Sequence, residues 1–278
     1  GNSFWTGINT HKRSSGYDVT HLFVSSEGTL GFILVAVLKI IPLPEFFVDF
    51  LVPFASFQNA LNTLEDILKE GLPSAVEFIE SEAWLLSASN LNLSPFIKEN
   101  CEVVALIEYD SYFPSEINTI IERYSKIIPS DSLVTVSPHE RELLWKIRNN
   151  IGMAVRTITP YFEIDCSISR TKIPIISEFL KSIEREWNCE IYFYGHGGDG
   201  NMHINLLHTL PQEKLLKIKD AIYSKIIEEG GAIAGEHGIG ISAKPYFRNS
   251  ISNENYLMQL AIKKIFDPYG IMNPGKIF

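Results

Sequence analysis

The sequence predicts an α+β protein in which a largely antiparallel sheet carries flanking helices. Three observations lead there. Short β-branched and aromatic runs alternate with helical spacings of apolar residues through the middle of the chain. Glycine-rich turns join neighbouring runs in the last third, as hairpins require. Hydrophobic residues make up 45% and charged residues 21%, the balance of a folded globular chain. At 278 residues there is room for one large or two modest domains.

Taken in order, Gly16 to His21 read as a turn and Leu22-Phe23-Val24 as a short apolar strand. Ser25-Ser26-Glu27-Gly28-Thr29-Leu30-Gly31 is a small-residue loop. Phe32 to Ile41 is apolar almost throughout, as in a strand buried on both faces, and Pro42 and Pro44 end it. Phe46 to Phe54 is a strand candidate despite Pro53. Ser56 to Lys69 has apolar residues at 57, 60, 61, 64, 67 and 68, a helical stripe, with Gly71 as its stop. Glu77-Phe78-Ile79 reads as a short strand, Cys101 to Tyr109 as a strand, Ser115 to Ile127 as an amphipathic helix and Leu133 to Val136 as a strand. Pro138 to Ala154 is a helix with a basic, aromatic face of Arg141, Trp145 and Arg148. Thr159 to Ser169 is extended, and Pro174 to Trp187 is a helix with proline in its first turn. Strand Glu190 to Tyr194 runs into Gly195-His196-Gly197-Gly198-Asp199-Gly200-Asn201, and Met202 to Leu207 leaves it. Helix Pro211 to Glu229 stops at Gly230-Gly231. Ala232 to Gly240 is a glycine-rich loop, Asn253 to Phe266 a final helix, and Asp267 to Phe278 an irregular tail. No repeat period occurs.

Composition excludes several functions. Twenty-four basic against thirty-three acidic residues, a net charge of −9, argue against a nucleic-acid partner. The longest apolar run, Leu30 to Leu38, falls short of the roughly 20 residues a membrane span needs. Cys101, Cys166 and Cys189 are odd in number and lack a CxxC pair, so the expectation is reduced thiols in a reducing compartment. The location expected is cytoplasmic, at most peripheral to the inner membrane. The start Gly1-Asn2-Ser3-Phe4-Trp5 has no initiator Met and no signal-peptide core, which suggests an excised piece.

His196 and His203 are seven apart, which on one straight strand would put them on opposite faces. The intervening Gly197-Gly198-Asp199-Gly200 has turn composition and lets the chain fold back so that both imidazoles converge. Asn201 and Asn205 share the face of His203 by the same period. This pair reads as metal-binding or catalytic, or else as two hydrogen-bonded core histidines beside a tight turn. In Glu236-His237-Gly238-Ile239-Gly240, adjacent side chains of an extended chain point opposite ways, so either Glu236 or His237 can complete the set. A His-His-Glu set leaves an open coordination position and suits Zn²⁺, Fe²⁺, Mn²⁺ or Co²⁺, among which ligand softness does not select. Glu236 as a surface acid is the competing view. Ser25 to Gly31 is neither GxGxxG nor a Walker sequence, Arg148 alone would pass for a solvated charge, and Asn273-Pro274-Gly275-Lys276 alone for a turn.

Together, however, Gly16-Tyr17-Asp18, Leu22-Phe23, Ser25 to Gly31, Gly195 to His203, Glu236 to Gly240 and Asp267-Pro268 through Lys276 resemble the vanillyl-alcohol-oxidase-like flavoproteins. The pattern is similar to the C-terminal part of the FAD-linked D-2-hydroxyacid dehydrogenases: the glycolate oxidase GlcD subunit, D-lactate dehydrogenase and D-2-hydroxyglutarate dehydrogenase group. The resemblance runs from about Gly7 to the end. It implies a tail of an FAD-binding domain (1–44), a ferredoxin-like cap or substrate domain (45–230), and a segment returning to the flavin (231–278). It implies that the first half of the FAD domain, with the pyrophosphate loop, precedes this chain. These residues alone are therefore expected not to retain FAD, and Leu30 to Ile41 is expected to be exposed or covered by a partner.

Residue by residue, the resemblance assigns a divalent metal (Zn, Fe or Mn) to His196, His203 and Glu236. It makes His237 the catalytic base, Asn205 a substrate contact, and Arg148 the partner of the substrate carboxylate. Ser25, Ser26, Glu27, Gly28, Gly31, Ile33 and Asn273 fall to FAD. Ser25 stands where glycine is usual, Gly152 where the hydroxyglutarate enzymes have Thr, and Glu163 where they have Lys. Pro160-Tyr161-Phe162 before Asp165 looks more like the glycolate oxidase subunit. The substrate implied is therefore D-lactate or glycolate. The electron acceptor implied is a quinone, a cytochrome or an electron-transfer protein. The competing readings are an FAD-less remnant without activity, a stand-alone metal-binding domain or hydrolase, and a flavin transferase of the alkylglycerone-phosphate synthase type. The intact His196, His203, Glu236 and His237 argue against the last.

Overall fold

The computed structural model describes residues 2–10, 12–97, 101–158 and 160–278. The chain divides into two compact units, one made of residues 1–42 and 237–278, the other of 43–236.

In the first unit, the strand expected at Leu22–Val24 is instead the single helical turn α1 (Thr20–Phe23). Asp18 favours the turn: its carboxylate accepts the His21 N–H at 3.2 Å and lies 2.6 Å from the His21 ring nitrogen. The buried strand expected at Phe32–Ile41 is also corrected. Residues 31–44 form no strand or helix, and the apolar side chains stand in the open, Phe32 at 82% and Ile40 at 87% exposure. The run has the residues of a doubly covered strand, but no described strand pairs with it.

The second unit opens with β1 (Phe46–Phe54), whose pattern survives Pro53, and α2 (Phe57–Glu70). Ser56 caps that helix by accepting the Asn59 N–H. β2 (Ala75–Glu80) runs directly into α3 (Ser81–Asn90), a helix the sequence reading missed. Its buried residues Ser81, Ala83, Trp84, Ser87 and Ala88 share one face, but two are serines and two alanines while Leu85 is 41% exposed, so the sequence shows no apolar stripe. Then follow β3 (Val103–Ser111), α4 (Pro114–Tyr124), β4 (Leu133–Thr135), α5 (Pro138–Arg156), β5 (Tyr161–Ser167), α6 (Ile173–Trp187), β6 (Glu190–His196), β7 (Asn201–Leu207) and α7 (Gln212–Glu228). The extended stretch was expected from Thr159, which lies outside the described residues. Among the described residues, seven strands make one antiparallel sheet in the order β4-β1-β3-β2-β6-β7-β5.

Helices cover both faces of this sheet. Phe50, Phe57, Phe78, Phe193 and Tyr124 fill one side with α2 and α4. Leu51, Ile79, Leu106, Trp84, Leu144, Ile147 and Ile151 fill the other, under α3 and α5. The basic, aromatic stripe of α5 meets acids that project from this second side. Trp145 donates to Asp49 at 2.9 Å, Arg141 pairs with Glu108 and lies 3.6 Å from Asp49, and Arg148 pairs with Glu77. The stripe thus orients α5 by charge as well as by packing.

Asp49 has no exposed surface, and burial pushes its carboxyl up from 3.8 to about 6. For an acid raised on folding, ionisation costs stability. The cost is absent below the unfolded value, grows as pH rises toward 6, and is constant above. Asp49→Asn keeps an acceptor for Trp145 and is expected to leave stability unchanged at pH 4 and raise it at pH 7. The gain is bounded at about 3 kcal/mol, read from urea midpoints at the two pH values. Equal effects at both would contradict this.

In the first unit, α8 (Lys244–Ser250), also unforeseen, and α9 (Asn253–Phe266) precede the tail. Phe23 stacks edge-on against Phe266 at 5.2 Å, and Phe247, Tyr256 and Phe278 cluster. Lys263 ties the tail down by donating to the Thr29 and Met272 carbonyls and to Asp267. That ammonium, helped by the Ile271 and Met272 N–H groups, holds the Asp267 carboxyl below its ordinary value. The tail is irregular but fully anchored.

Candidate active site

β6 and β7 form a hairpin whose loop is Gly197-Gly198-Asp199-Gly200, closed by a Gly200 N–H to His196 carbonyl bond of 2.8 Å. Gly200 has φ +85°, and a Cβ there would fall on the Ile168 carbonyl oxygen, so no other residue fits. The register pairs His196 with Asn201 and Tyr194 with His203. His196 and His203 therefore lie on one face, a diagonal step apart, because directly opposed residues share a side.

His196 turns toward β2. Its Nδ1 lies 2.8 Å from Oε1 of Glu77, its register partner on that strand. Glu77 Oε2 accepts from Arg148 Nη2 at 2.9 Å, and the same Nη2 is 3.2 Å from His196 Nδ1. The Glu77 hydrogen bond outweighs burial and raises the pKa of His196. Arg148 is thus mostly buried in an ion pair rather than solvated.

His203 stands among carboxylates. Its Nδ1 is 3.6 Å from Glu163 Oε1 and 3.9 Å from Asp165 Oδ1, and its Nε2 is 3.6 Å from Glu236 Oε1. Asp165 sets this arrangement. Its Oδ2 accepts the N–H groups of Gly235 and Glu236 at 2.9 and 2.8 Å, and its Oδ1 accepts from Asn201 Nδ2 at 2.7 Å. The loop carrying Glu236 is therefore pinned beside β5 and β7. Gly235 permits the approach, since a Cβ there would strike the Asn201 amide and sit 2.8 Å from Asp165 Oδ1. Asn205 donates to the Tyr194 hydroxyl at 3.3 Å, and burial pushes that phenol up to about 12.

The other expected residues fall in the first unit. Glu27 receives the Ile239 and Gly240 N–H groups at 2.7 and 2.8 Å, and its carbonyl accepts from Asn273 Nδ2 at 2.5 Å. The Ser26 hydroxyl is spent on the Phe23 carbonyl. Ser25 and Glu27 have φ of +63° and +51°, as has Gly28 at +69°, so the loop is tightly coiled. Gly31 packs on Phe23, Ile33 is exposed at 65%, and His237 is exposed.

The donors fit a metal in part. Two ligands each about 2.1 Å from one tetrahedral cation lie about 3.4 Å apart, and His203 Nε2 and Glu236 Oε1 are 3.6 Å apart. His196 does not join them: among the described residues, no group of three candidate ligand atoms within 4.8 Å of one another contains it. For FAD, the structure brings the Glu27 loop, Gly238 to Gly240 and Asn273 into one hydrogen-bonded group, with the apolar residues 32–41 following. The Ile239, Gly240 and Asn273 donors of that group are all taken up by Glu27.

Glu77 and Asp165 were the residues overlooked as site residues. Their signal was present: each is an acid inside a strand of mostly apolar residues, where an unpaired buried charge would not be tolerated.

The fold and the site define an α+β domain that gathers a guanidinium, two imidazoles and several carboxylates at one end of an antiparallel sheet. Residues 43–277 match the family described as FAD linked oxidases, C-terminal domain. The chain belongs to this family of oxidoreductases. It is 32% identical over 98% of its length to a D-lactate dehydrogenase of Anaerostipes hadrus. It is 30% identical over 98% to the glycolate oxidase subunit GlcD of Bacillus subtilis (strain 168), and 27% over 96% to a D-2-hydroxyglutarate dehydrogenase of Stutzerimonas stutzeri (strain A1501). In each case the chain spans 60% of the relative's length. Among the described residues, no helix is long and apolar enough to cross a membrane.

Proposed function

We propose that this chain is the substrate-handling part of an FAD-dependent dehydrogenase for a small D-2-hydroxy acid, D-lactate or glycolate. One observation carries the reading. Arg148 and His196 are neighbours, 3.2 Å apart, as the carboxylate and hydroxyl of a 2-hydroxy acid are neighbours. A guanidinium that binds the carboxylate thus sits beside an imidazole able to hold a cation at the hydroxyl.

In this reading Arg148 fixes the carboxylate through the part of its fork that Glu77 leaves free. His196, His203 and Glu236 would hold a divalent ion, zinc, iron or manganese, which would supply positive charge at the substrate hydroxyl and so favour its deprotonation. His237 accepts the hydroxyl proton as general base, and Asn205 orients the substrate. FAD, when bound, would supply the two-electron oxidation at C2. Glu27 and Asn273, with Ser25, Ser26, Gly28, Gly31 and Ile33, hold FAD. An electron acceptor, whether quinone, cytochrome or electron-transfer protein, reoxidises it.

Glu163 sets the choice among hydroxy acids. A second, distal carboxylate placed about 4 Å from it would be repelled by roughly 4 kcal/mol at an effective dielectric of 20. Arg156, 3.7 Å from Glu163, offsets part of that. The net preference expected is about tenfold or more in kcat/KM for D-lactate or glycolate over D-2-hydroxyglutarate. The test uses the full translated protein with an artificial electron acceptor, after its flavin absorbance is recorded. A Glu163→Lys variant should reverse the order. Absence of flavin, or a wild-type preference for the dicarboxylate, would overturn the reading.

A further inference from the structure

We propose that Glu77 is a positioning residue that sets the tautomer of His196 and, with its second oxygen, the reach of Arg148. The inference rests on the reading above that His196 binds a cation and Arg148 a carboxylate. Glu77 and His196 are directly opposed on β2 and β6, so the ladder itself fixes their separation. The Glu77 side chain is 4% exposed and His196 is 34% exposed, so the carboxylate is internal while the ring reaches solvent.

Hydrogen-bond bookkeeping leaves one arrangement. Arg148 has only donors. If His196 Nδ1 accepted from Arg148, its lone pair would face Glu77 Oε1 at 2.8 Å, two acceptors in repulsive contact. With the proton on Nδ1, the ring donates to Oε1 and Arg148 Nη2 donates to Oε2 at 2.9 Å. The 3.2 Å approach of Nη2 to Nδ1 is then two donors sharing one carboxylate. In the neutral ring Nε2 then carries the lone pair and is the nitrogen offered to a metal, the usual role of a carboxylate behind a ligating histidine. Arg148 loses one N–H to Glu77 and keeps the rest of its fork.

Side-chain nitrogen NMR of the ¹⁵N-labelled chain, well above the pH at which the ring is protonated, reads the tautomer directly. The result expected is Nδ1–H in the wild type. In Glu77→Leu the acceptor is gone, Nδ1 accepts from Arg148, and the proton moves to Nε2. Zn²⁺ affinity by calorimetry should fall about 10- to 100-fold in that variant, and wild-type Zn²⁺ should perturb Nε2 rather than Nδ1. A wild-type ring protonated on Nε2, Zn²⁺ seen at Nδ1, or an unchanged tautomer in a folded Glu77→Leu would overturn the proposal. If Glu77→Leu does not fold, the two wild-type measurements decide. Zn²⁺ binding untouched by His203→Ala and Glu236→Gln would instead count against the ligand set alone, with the tautomer result standing.

Discussion

Replacing Gly200 with alanine is expected to cost about 3–5 kcal/mol of stability, the sum of overpacking and left-handed strain. Two faults coincide at this position. The backbone is at φ +85°, and the new methyl would occupy the space of the Ile168 carbonyl oxygen, a backbone atom that cannot swing away. Ile168 N–H is itself bonded to the Gly200 carbonyl at 2.9 Å, so relief would break a contact that joins the hairpin loop to the end of β5. Gly230 supplies the control. Its φ is +76° but nothing lies within 4 Å of a Cβ there, so Gly230→Ala should lose only about 1–2 kcal/mol. Urea unfolding followed by circular dichroism compares them. Equal midpoints for the two variants would show that the close approach is not what selects glycine at 200. Because the loop separates His196 from His203, metal affinity should fall with Gly200→Ala and hold with Gly230→Ala.

Removing the guanidinium of Arg148 is expected to be the most damaging single change to substrate binding. A charge-assisted, two-pronged bond to a carboxylate is worth about 2–3 kcal/mol, so Arg148→Ala in the full translated protein should lower kcat/KM about 30- to 150-fold. The loss should appear mainly in KM. Arg148→Lys keeps the charge but not the fork, and it should recover only part of the affinity. The same change strands Glu77, whose carboxylate is nearly solvent-free and would retain only His196. A stability loss of about 2 kcal/mol is expected from that uncompensated charge. Glu77→Leu in the Arg148→Ala background should give back part of it, a non-additivity that a double-mutant cycle measures. Additive losses would mean that the pair is not coupled. An unchanged KM in Arg148→Ala would remove the guanidinium from the substrate site.

The hairpin and the helices show how far local pattern reaches. The stripe at Phe57–Ile67 and the amphipathic run read at Ser115–Ile127 yield helices α2 and α4 because period 3.6 needs only neighbours in sequence. The same locality misleads at Phe32–Ile41. An apolar run with strand composition becomes a strand only when a ladder partner is present, and among the described residues it has none. At Leu22–Val24 the first two residues instead end a single helical turn whose His21 N–H is held by Asp18, and only Val24 stays extended.

What the sequence by itself determined was the α+β class, the turn at Gly197–Gly200, the helix carrying Arg141, Trp145 and Arg148, and membership of the oxidase family through its ordered motifs. Only the tertiary structure decided where the charges go. Glu77 reaches His196 across 119 positions and Arg148 across 71, and Asp165 reaches Gly235 across 70. No periodicity encodes such pairs. They follow from the strand order β2-β6-β7-β5, which places β2 beside β6 and β5 beside β7. A buried acid announces in the sequence that a partner exists, because ionised carboxylates are not left alone away from water. Which donor answers is settled by register and packing, when the sheet closes and α5 lays its cations over it.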